Sequence, residues 1–206
     1  MSLHLIRVVV SDLGRVVLWF DNNIFLRKLA ELAGRPFEEV KAAVHGNLEL
    51  VRRFDEGLLT PEGFRRAVCG IVGTEVERTT FYAIYNDIFT LNPLVATLLR
   101  RVKDAGYKTV LLSNTDPERF GFVRRKFPEI LFFDDYVLSF ELGLIKPDRR
   151  IYLEAARRSA CRPDECVFID DMEENVESAV AAGLCGIHYR PETDLEGELK
   201  QLGLAF

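Results

Sequence analysis

The sequence predicts an α/β fold, in which a doubly wound parallel sheet carries a small all-helical subdomain inserted after the first strand. Short, almost wholly apolar segments recur along the chain, as expected of strands buried on both faces of a parallel sheet. From residue 92 onward these segments alternate with helical patterns, whereas residues 19–89 show helical spacing alone. These patterns predict a core domain of residues 1–18 and 90–206 and a helical subdomain of residues 19–89.

The first strand is predicted at residues 5–10, where five of six residues are apolar and three are consecutive valines. Asp12 follows this strand, and Gly14 offers a position where the backbone can turn and a ligand can approach closely. Ligands of open α/β sheets collect at the carboxyl ends of the strands. Asp12 is therefore a candidate site residue, although a lone aspartate at this place is equally typical of a turn.

Four helices are predicted within the helical subdomain, from capping residues at their starts and apolar residues at helical spacing. They begin near Asp21, Pro36, Thr60 and Thr74, and the fourth is predicted to extend to residue 89. We interpret the aromatic residues of this segment as core rather than as contacts to a cofactor.

The remaining elements alternate between strand and helix. Strands are predicted at residues 107–112, 136–138, 166–169 and 184–188, and helices at residues 94–106, after Asp116, after Asp148, at residues 176–183 and at residues 195–202. Such alternation implies right-handed crossovers, which place the carboxyl ends of all the strands at one edge of the sheet.

Polar side chains follow four of these strands where each apolar run stops. They are Asp12, the pair Ser113 and Asn114, Lys146, and the pair Asp170 and Asp171. Three carboxylates in one cleft repel one another unless a cation lies among them, and oxygen ligands without His or Cys suit Mg²⁺. A hydroxyl, an amide and a lysine near a helix N-terminus suit a phosphate group. Each residue alone is typical of a cap or a surface loop, but together they favour a phosphate site with Mg²⁺ as cofactor.

In this order the segments resemble the four motifs of the haloacid dehalogenase-like (HAD) hydrolase superfamily, over nearly the whole chain. The four segments run from Ser11 to Val16, from Leu111 to Thr115, from Gly143 to Asp148 and from Phe168 to Asn175. The resemblance implies a Rossmann-like core and identifies the helical subdomain with the family's cap, which closes over the site and selects the substrate. The combination of motifs looks like the branch that contains α-D-glucose-1-phosphate phosphatase.

The resemblance also implies a Mg²⁺-dependent phosphatase acting on a small phosphomonoester, such as a sugar phosphate. Asp12 corresponds to the nucleophile that forms an aspartyl-phosphate, and Lys146 to the lysine that balances charge and contacts the substrate. Ser113 corresponds to the residue that binds the phosphoryl group, and we count its neighbour Asn114 among the substrate-binding residues.

For the metal, the resemblance implies Asp12, the Gly14 carbonyl and Asp171 as ligands, with Asp170 acting through water. Gly14 departs from the family pattern, because family phosphatases usually carry there a second aspartate that protonates the leaving alcohol and then activates water. General acid–base catalysis contributes about 10²- to 10⁴-fold, so we expect slow turnover unless Asp21, a residue of the cap or a metal-held water replaces it. Two alternatives are a metal-independent haloacid dehalogenase and a non-catalytic protein that senses a phosphometabolite or binds a partner.

The charge and composition of the sequence argue against several classes of binding partner. The formal net charge of −5 argues against nucleic acid or an anionic membrane, and no apolar run of about 18 residues predicts a transmembrane helix. The N-terminus lacks the features of a signal peptide, and the four cysteines form no CxxC pair. We therefore expect a cytoplasmic monomer or homodimer acting on a small phosphorylated metabolite, with Arg52, Arg53 and Glu56 of the cap facing solvent.

Overall fold

The computed structural model describes residues 5–206, so the first four residues of the predicted core domain lie outside the described residues. The strands are β1 (Val8–Ser11), β2 (Leu18–Phe20), β3 (Phe89–Leu91), β4 (Lys108–Ser113), β5 (Asp135–Leu138), β6 (Cys166–Asp170) and β7 (Cys185–His188). The helices are α1 (Asn22–Ala33), α2 (Phe37–His45), α3 (Leu48–Asp55), α4 (Pro61–Val72), α5 (Arg78–Asn86), α6 (Pro93–Asp104), α7 (Pro117–Lys126), α8 (Ser139–Leu142), α9 (Arg149–Arg158), α10 (Glu173–Ala181) and α11 (Leu195–Gln201).

Five parallel strands form the main sheet, in the order β5-β4-β1-β6-β7. The chain moves outward from β1 on one side through β4 and β5, and on the other side through β6 and β7. The strand order therefore reverses at β1, and the carboxyl ends of β4, β1 and β6 border the crevice where ligands of such sheets bind. This arrangement confirms the predicted doubly wound fold.

Both faces of the sheet are covered, which explains the uninterrupted apolar runs of its strands. Val8 and Val10 pack in the layer that contains α9 and α10, whereas Val9 packs in the layer that contains α6, α7 and α11. All three valines are fully buried. Successive side chains of a strand point to opposite faces, so a strand with two covered faces requires apolar residues at every position.

Helices α1 to α5 form the helical subdomain, which we call the cap. The predicted starts of two cap helices are confirmed, because the side chains of Asp21 and Thr60 accept hydrogen bonds from backbone N–H groups in the first turns of α1 and α4. Its aromatic residues are core, as predicted. Buried rings in mutual contact are those of Phe25, Phe54, Phe64, Phe81 and Tyr85.

Three details of the cap differ from the sequence prediction. The fourth predicted helix starts later and ends earlier than expected, because α5 runs from Arg78 to Asn86 and its N-cap is Glu77 rather than Thr74, and α3, a short amphipathic helix of eight residues, was not predicted. Strands β2 and β3 pair antiparallel at the two ends of the cap, where no strand was expected. A three-residue strand is too short to show alternation, and Phe89 also fits the helical spacing of α5.

The β2–β3 ribbon contains both predicted domain boundaries, after residue 18 and before residue 90. We propose that this ribbon is the junction between core and cap. Within residues 5–206, none of the helices combines the length and the hydropathy that a bilayer crossing would need.

Candidate active site

The carboxyl ends of β1, β4 and β6 border one cavity of about 420 Å³. Six of the seven residues that the sequence singled out line it: Asp12, Gly14, Ser113, Asn114, Lys146 and Asp171. The seventh, Asp170, is fully buried and contacts Lys146 directly. The structure therefore brings together residues that are up to 159 positions apart in the chain.

Lys146 lies between two buried carboxylates. Its Nζ is 2.5 Å from Oδ1 of Asp12 and 2.6 Å from Oδ2 of Asp170. Burial acts to lower the pKa of Lys146, but the two carboxylates outweigh it and raise that pKa. Burial, reinforced by the charge of Asp170 and opposed by Lys146, raises the pKa of Asp12 to about 7. One buried ammonium facing two carboxylates leaves an excess of negative charge, which favours a further cation.

Asp170 and Asp171 are neighbours in the chain with different surroundings. Asp170 accepts hydrogen bonds at Oδ1 from the Met172 N–H (2.8 Å) and the Asn175 amide (3.0 Å), and at Oδ2 from Lys146. Both of its oxygens are therefore engaged by protein groups. Asp171 is half-buried and lines the cavity, with its carboxylate 3.8 Å from the guanidinium of Arg15.

Oxygen atoms of three aspartates cluster at the carboxyl ends of β1 and β6. Carboxylate oxygens of Asp12, Asp170 and Asp171 all lie within 4.8 Å of one another, and Gly14 lines the same cavity. Oxygens bound to one Mg²⁺ at about 2.1 Å lie at most about 4.2 Å apart, so a small adjustment would let oxygens of this cluster hold the ion. The donor set, free of nitrogen and sulfur, fits Mg²⁺.

The two polar residues at the end of β4 face different partners. Asn114 donates its amide N–H to the carbonyl of Lys146 (3.0 Å) and accepts from the Lys146 N–H (2.8 Å), so it holds the backbone of Lys146 in place. The Ser113 hydroxyl has one partner among the described residues, a long 3.5 Å contact with the Asn114 carbonyl. The Ser113 hydroxyl therefore retains hydrogen-bonding capacity toward the cavity.

Gly14 lies against an aromatic ring. A Cβ atom at this position would be 2.8 Å from the Phe20 ring, closer than van der Waals contact permits. The next residue, Arg15, has a left-handed φ of 57°, and its guanidinium lies 5.3 Å from the centre of the same ring. A carboxylate side chain at position 14 would therefore require Phe20 to move.

The outer part of the cavity contains residues that the sequence did not point to. They are Phe20, Asn22, Asp55, Phe89, Thr115 and Arg119. Thr115 continues the polar run after β4, and Asn22 belongs to a polar run after β2, a strand that the sequence did not predict. Local patterns carry no signal for the other four. Of the three cap residues expected to face solvent, Arg52 and Arg53 are exposed as predicted, whereas the side chain of Glu56 is only 14% exposed and pairs with Arg52 at 3.1 Å.

Asp55 is the last residue of α3 and lies beside a charged cluster on α7. Burial first, and then the charge of Asp116, raise the pKa of Asp55 to about 7, while Arg119 opposes this shift. Asp116 is fully buried, caps α7 and accepts a hydrogen bond from the Tyr85 hydroxyl (2.8 Å). The guanidinium of Arg119 lies 4.1 Å from the centre of the Tyr85 ring and donates to Asn22 (2.9 Å).

Comparison with known proteins places the chain among hydrolases. The family model of haloacid dehalogenase-like hydrolases matches residues 8–183. The sesquiterpene phosphatase astK of Aspergillus oryzae is 26% identical over 159 residues, which cover 76% of this chain and 80% of that protein. The D-ribitol-5-phosphate phosphatase of Bacteroides thetaiotaomicron is 25% identical over 183 residues, which cover 84% of this chain and 86% of that protein.

A solved HAD family enzyme from Bacteroides thetaiotaomicron has the same fold. It superposes with a TM-score of 0.84 at 25% identity, covering 95% of this chain and 98% of its own. Its complex with magnesium and inorganic phosphate superposes with a TM-score of 0.82 at 22% identity, covering 94% and 98% of the two chains.

Proposed function

The chain belongs to the haloacid dehalogenase-like hydrolase family, and we propose that it is a Mg²⁺-dependent phosphatase that hydrolyses a small phosphomonoester through an aspartyl-phosphate on Asp12. The observation that carries this proposal is the meeting of Asp12, Lys146 and Ser113 at one cavity, at the edge of the sheet where the strand order reverses. A carboxylate, an ammonium and a partly free hydroxyl are the groups that transfer of a phosphoryl group to an enzyme carboxylate needs.

Asp12 acts as the nucleophile. It follows β1 directly, and its N–H donates to the Ile169 carbonyl (2.8 Å), so the backbone at this position is held by the sheet. One carboxylate oxygen forms a bond to phosphorus while the bond from phosphorus to the leaving oxygen breaks. A nucleophile that the fold already holds in place lowers the entropic part of the barrier.

Lys146 and Ser113 bind the phosphoryl oxygens. Lys146 is kept in place at both ends, since Asp170 holds its ammonium and Asn114 holds its backbone. We therefore assign Asp170 and Asn114 as positioning residues, a more indirect role for Asn114 than the substrate contact that the sequence suggested. Preorganised donors of this kind stabilise charge that develops in the transition state.

Asp12, Asp171 and the Gly14 carbonyl would hold Mg²⁺, with Asp170 behind them because its oxygens are engaged elsewhere. When bound, the ion neutralises the carboxylates and the oxygens of the transferring group. Without a cation, the negative charge of the three aspartates would oppose the approach of a phosphate ester.

The cavity also limits the substrate. Its volume of about 420 Å³ suits a small ester rather than a nucleic acid or protein. Its outer part contains Asn22, Asp55 and Arg119, which can form hydrogen bonds with hydroxyl groups of the substrate. We therefore propose a hydroxylated leaving group, as in a sugar phosphate. The glucose-1-phosphate branch of the family stays a prediction.

The test is hydrolysis of p-nitrophenyl phosphate by the purified protein with Mg²⁺. We expect Asp12→Asn to lower kcat/KM by about 10³-fold or more, because the amide cannot act as the nucleophile. Asp104→Asn is the matched control, since this exposed carboxylate pairs with Arg100 on the surface of α6. Equal rates for Asp12→Asn and the unaltered protein would contradict the proposed nucleophile.

The lack of an acidic side chain at Gly14 favours one alternative function, in which the protein binds a phosphometabolite without hydrolysing it. Binding of Mg²⁺ and vanadate, combined with no turnover across a panel of phosphate esters, would support that alternative. A haloacid dehalogenase would instead release halide from 2-chloropropionate in the presence of EDTA.

A further inference from the structure

We propose that Asp55, the last residue of α3 in the cap, is the general acid–base in the reaction, a role that Gly14 cannot fill because it has no side chain. This proposal rests on the proposed function. Among the described residues, three carboxylates line the cavity, those of Asp12, Asp55 and Asp171. Asp12 is engaged with Lys146 and Asp171 belongs to the metal cluster. Asp55 is the lining carboxylate that has no other role.

Asp21 offers no comparable group. Its carboxylate caps α1, where it accepts hydrogen bonds from the backbone and side-chain N–H groups of Asn23, both at 2.8 Å. Asp21 is exposed and is absent from the residues that line the cavity. Of the aspartates considered as replacements, Asp55 is therefore the one in reach of a bound ester.

The backbone of Asp55 is anchored to the core beside the phosphate site. The Ser139 hydroxyl lies 2.6 Å from the carbonyl of Asp55 and accepts from the Thr115 N–H at 2.9 Å. Thr115 follows Ser113 by two residues and lines the same cavity. One hydroxyl thus links the end of α3 to the segment that binds the phosphoryl group, which fixes Asp55 at the cap side of the cavity.

The turn after Asp55 also packs tightly on the core. Gly57 has a φ of +71°, and a Cβ atom there would be 2.3 Å from the carbonyl oxygen of Phe140. Glycine is needed at this position for both the left-handed conformation and the close approach. Two independent contacts, at Ser139 and Phe140, therefore hold this end of α3 against α8.

The carboxyl group of Asp55 is free to exchange a proton. It forms no hydrogen bond or ion pair with any group among residues 5–206, while its charged neighbours are Glu56, which follows α3, and Asp116 and Arg119 of the α7 segment. Tyr85, on α5, donates its hydroxyl to Asp116 and so remains the protonated neighbour of this cluster. Since burial raises the pKa of Asp55 to about 7, both its acid and its base form are populated at neutral pH.

The two half-reactions then balance. In the first, the oxygen of Asp12 bonds to phosphorus, the bond from phosphorus to the leaving oxygen breaks, and the carboxyl of Asp55 gives its proton to that oxygen. In the second, water bonds to phosphorus, its proton passes to the Asp55 carboxylate, and the bond from phosphorus to Asp12 breaks. Inorganic phosphate leaves, Asp12 is again a carboxylate, and Asp55 is again protonated.

The experiment compares two esters that differ in their need for an acid. An alkyl phosphate such as glycerol phosphate has a basic leaving oxygen that must be protonated, whereas p-nitrophenolate leaves without a proton. We expect Asp55→Asn to lower kcat/KM for glycerol phosphate by about 10²- to 10⁴-fold, and that for p-nitrophenyl phosphate by less than about tenfold. With p-nitrophenyl phosphate, a burst of p-nitrophenolate followed by slow turnover should appear, since the second half-reaction has lost its base.

The matched control is Glu56→Gln, the adjacent carboxylate on the same helix end, which pairs with Arg52 outside the cavity. Because the charge of Glu56 affects the pKa of Asp55 less than burial, Asp116 and Arg119 do, this variant should preserve the ratio of the two rates. A further readout is the pH profile of kcat/KM for glycerol phosphate, whose basic limb near pH 7 should disappear in Asp55→Asn. Should Asp55→Asn not fold, as judged by circular dichroism, Asp55→Ala provides the same comparison.

An equal loss on both esters would show a purely structural role and overturn the proposal, as would unchanged rates. Either result, in a protein whose hydrolysis of p-nitrophenyl phosphate still depends on Asp12, would leave the proposed function standing. If the unaltered protein hydrolyses neither ester with Mg²⁺, the proposed function and the role of Asp55 both fail.

Discussion

At the scale of single residues, Lys146 balances the charge of the buried site. Its side chain is 3% exposed, and it is the cation shared by Asp12 and Asp170. Removing one partner of a buried ion pair leaves an uncompensated charge and costs about 3–5 kcal/mol. We expect Lys146→Met to lower the free energy of unfolding by about this amount and to abolish phosphatase activity, measured by urea denaturation and by hydrolysis of p-nitrophenyl phosphate.

Lys200 offers the control for that measurement. It pairs with Glu196 at 2.6 Å on the surface of α11, and its side chain is 50% exposed. Exposed pairs contribute about 0–1 kcal/mol, so Lys200→Met should have little effect on stability or activity. Equal destabilisation by the two variants would contradict the assigned role of Lys146.

Asp55 makes the stability of the fold depend on pH. Its pKa rises from 3.8 to about 7 on folding, chiefly because it is buried, so the folded protein holds this proton more tightly than the unfolded chain does. Stability is therefore lost as the pH rises from about 4 to about 7, and Asp55→Asn avoids this loss.

We expect the difference in Tm between Asp55→Asn and the unaltered protein to increase between pH 4 and pH 7 and then to level off. Its size at pH 8 corresponds to on the order of 4 kcal/mol in favour of the variant. Thermal denaturation followed by circular dichroism across this range measures the difference. A difference that does not change with pH would mean that Asp55 is well solvated in the folded protein.

At the scale of elements, the end of α3 is held by the turn that follows it. Gly57 and Gly73 both have left-handed φ angles, +71° and +74°, but only at Gly57 would a Cβ atom meet the core, at Phe140. We expect Gly73→Ala to cost about 1–2 kcal/mol through backbone strain alone. Gly57→Ala should cost about 1–3 kcal/mol more because of the clash, and it should also lower phosphatase activity by displacing Asp55.

The paired glycine variants separate docking of α3 from backbone strain, because both introduce the same methyl group at the same backbone conformation. Urea denaturation and hydrolysis of glycerol phosphate by the two variants provide the comparison. Similar stability and similar activity in both would mean that the contact with Phe140 does not position the helix end.

At the scale of the whole molecule, we expect the three neighbouring aspartates to make the stability of the folded protein depend on divalent cations. A ligand that binds only the folded state stabilises it by about 2.7 kcal/mol at a concentration of 100 Kd. We expect Mg²⁺ to raise Tm and EDTA to reverse the rise, with NaCl of equal ionic strength as control. Asp171→Asn should lose most of this rise and Asp104→Asn should keep it, whereas a rise unaffected by Asp171→Asn would argue against the assigned ligands.

Much of the fold and the grouping of the polar residues that follow the strands could be predicted, because the sequence patterns that indicate them are local. Valines in succession require a strand covered on both faces, Asp21 and Thr60 mark helix starts, and Asp12 comes where a strand ends. Parallel strands then bring their carboxyl ends to a single edge whatever the loops between them do. The parallel, doubly wound sheet and the grouping of Asp12, Ser113, Lys146 and Asp171 at its edge follow from these patterns, whereas the strand order comes from the structure.

Other features depend on contacts between distant segments, which no local pattern encodes. Ser139 reaches the carbonyl of Asp55 across 84 residues of chain, and Asn114, although it lines the cavity, uses its amide group to hold the backbone of Lys146. The β2–β3 ribbon pairs strands too short to show alternation, and α3 spans only eight residues. Tertiary packing and strand pairing determine these arrangements. They also determine the position of Asp55, the acid that we assign to the reaction.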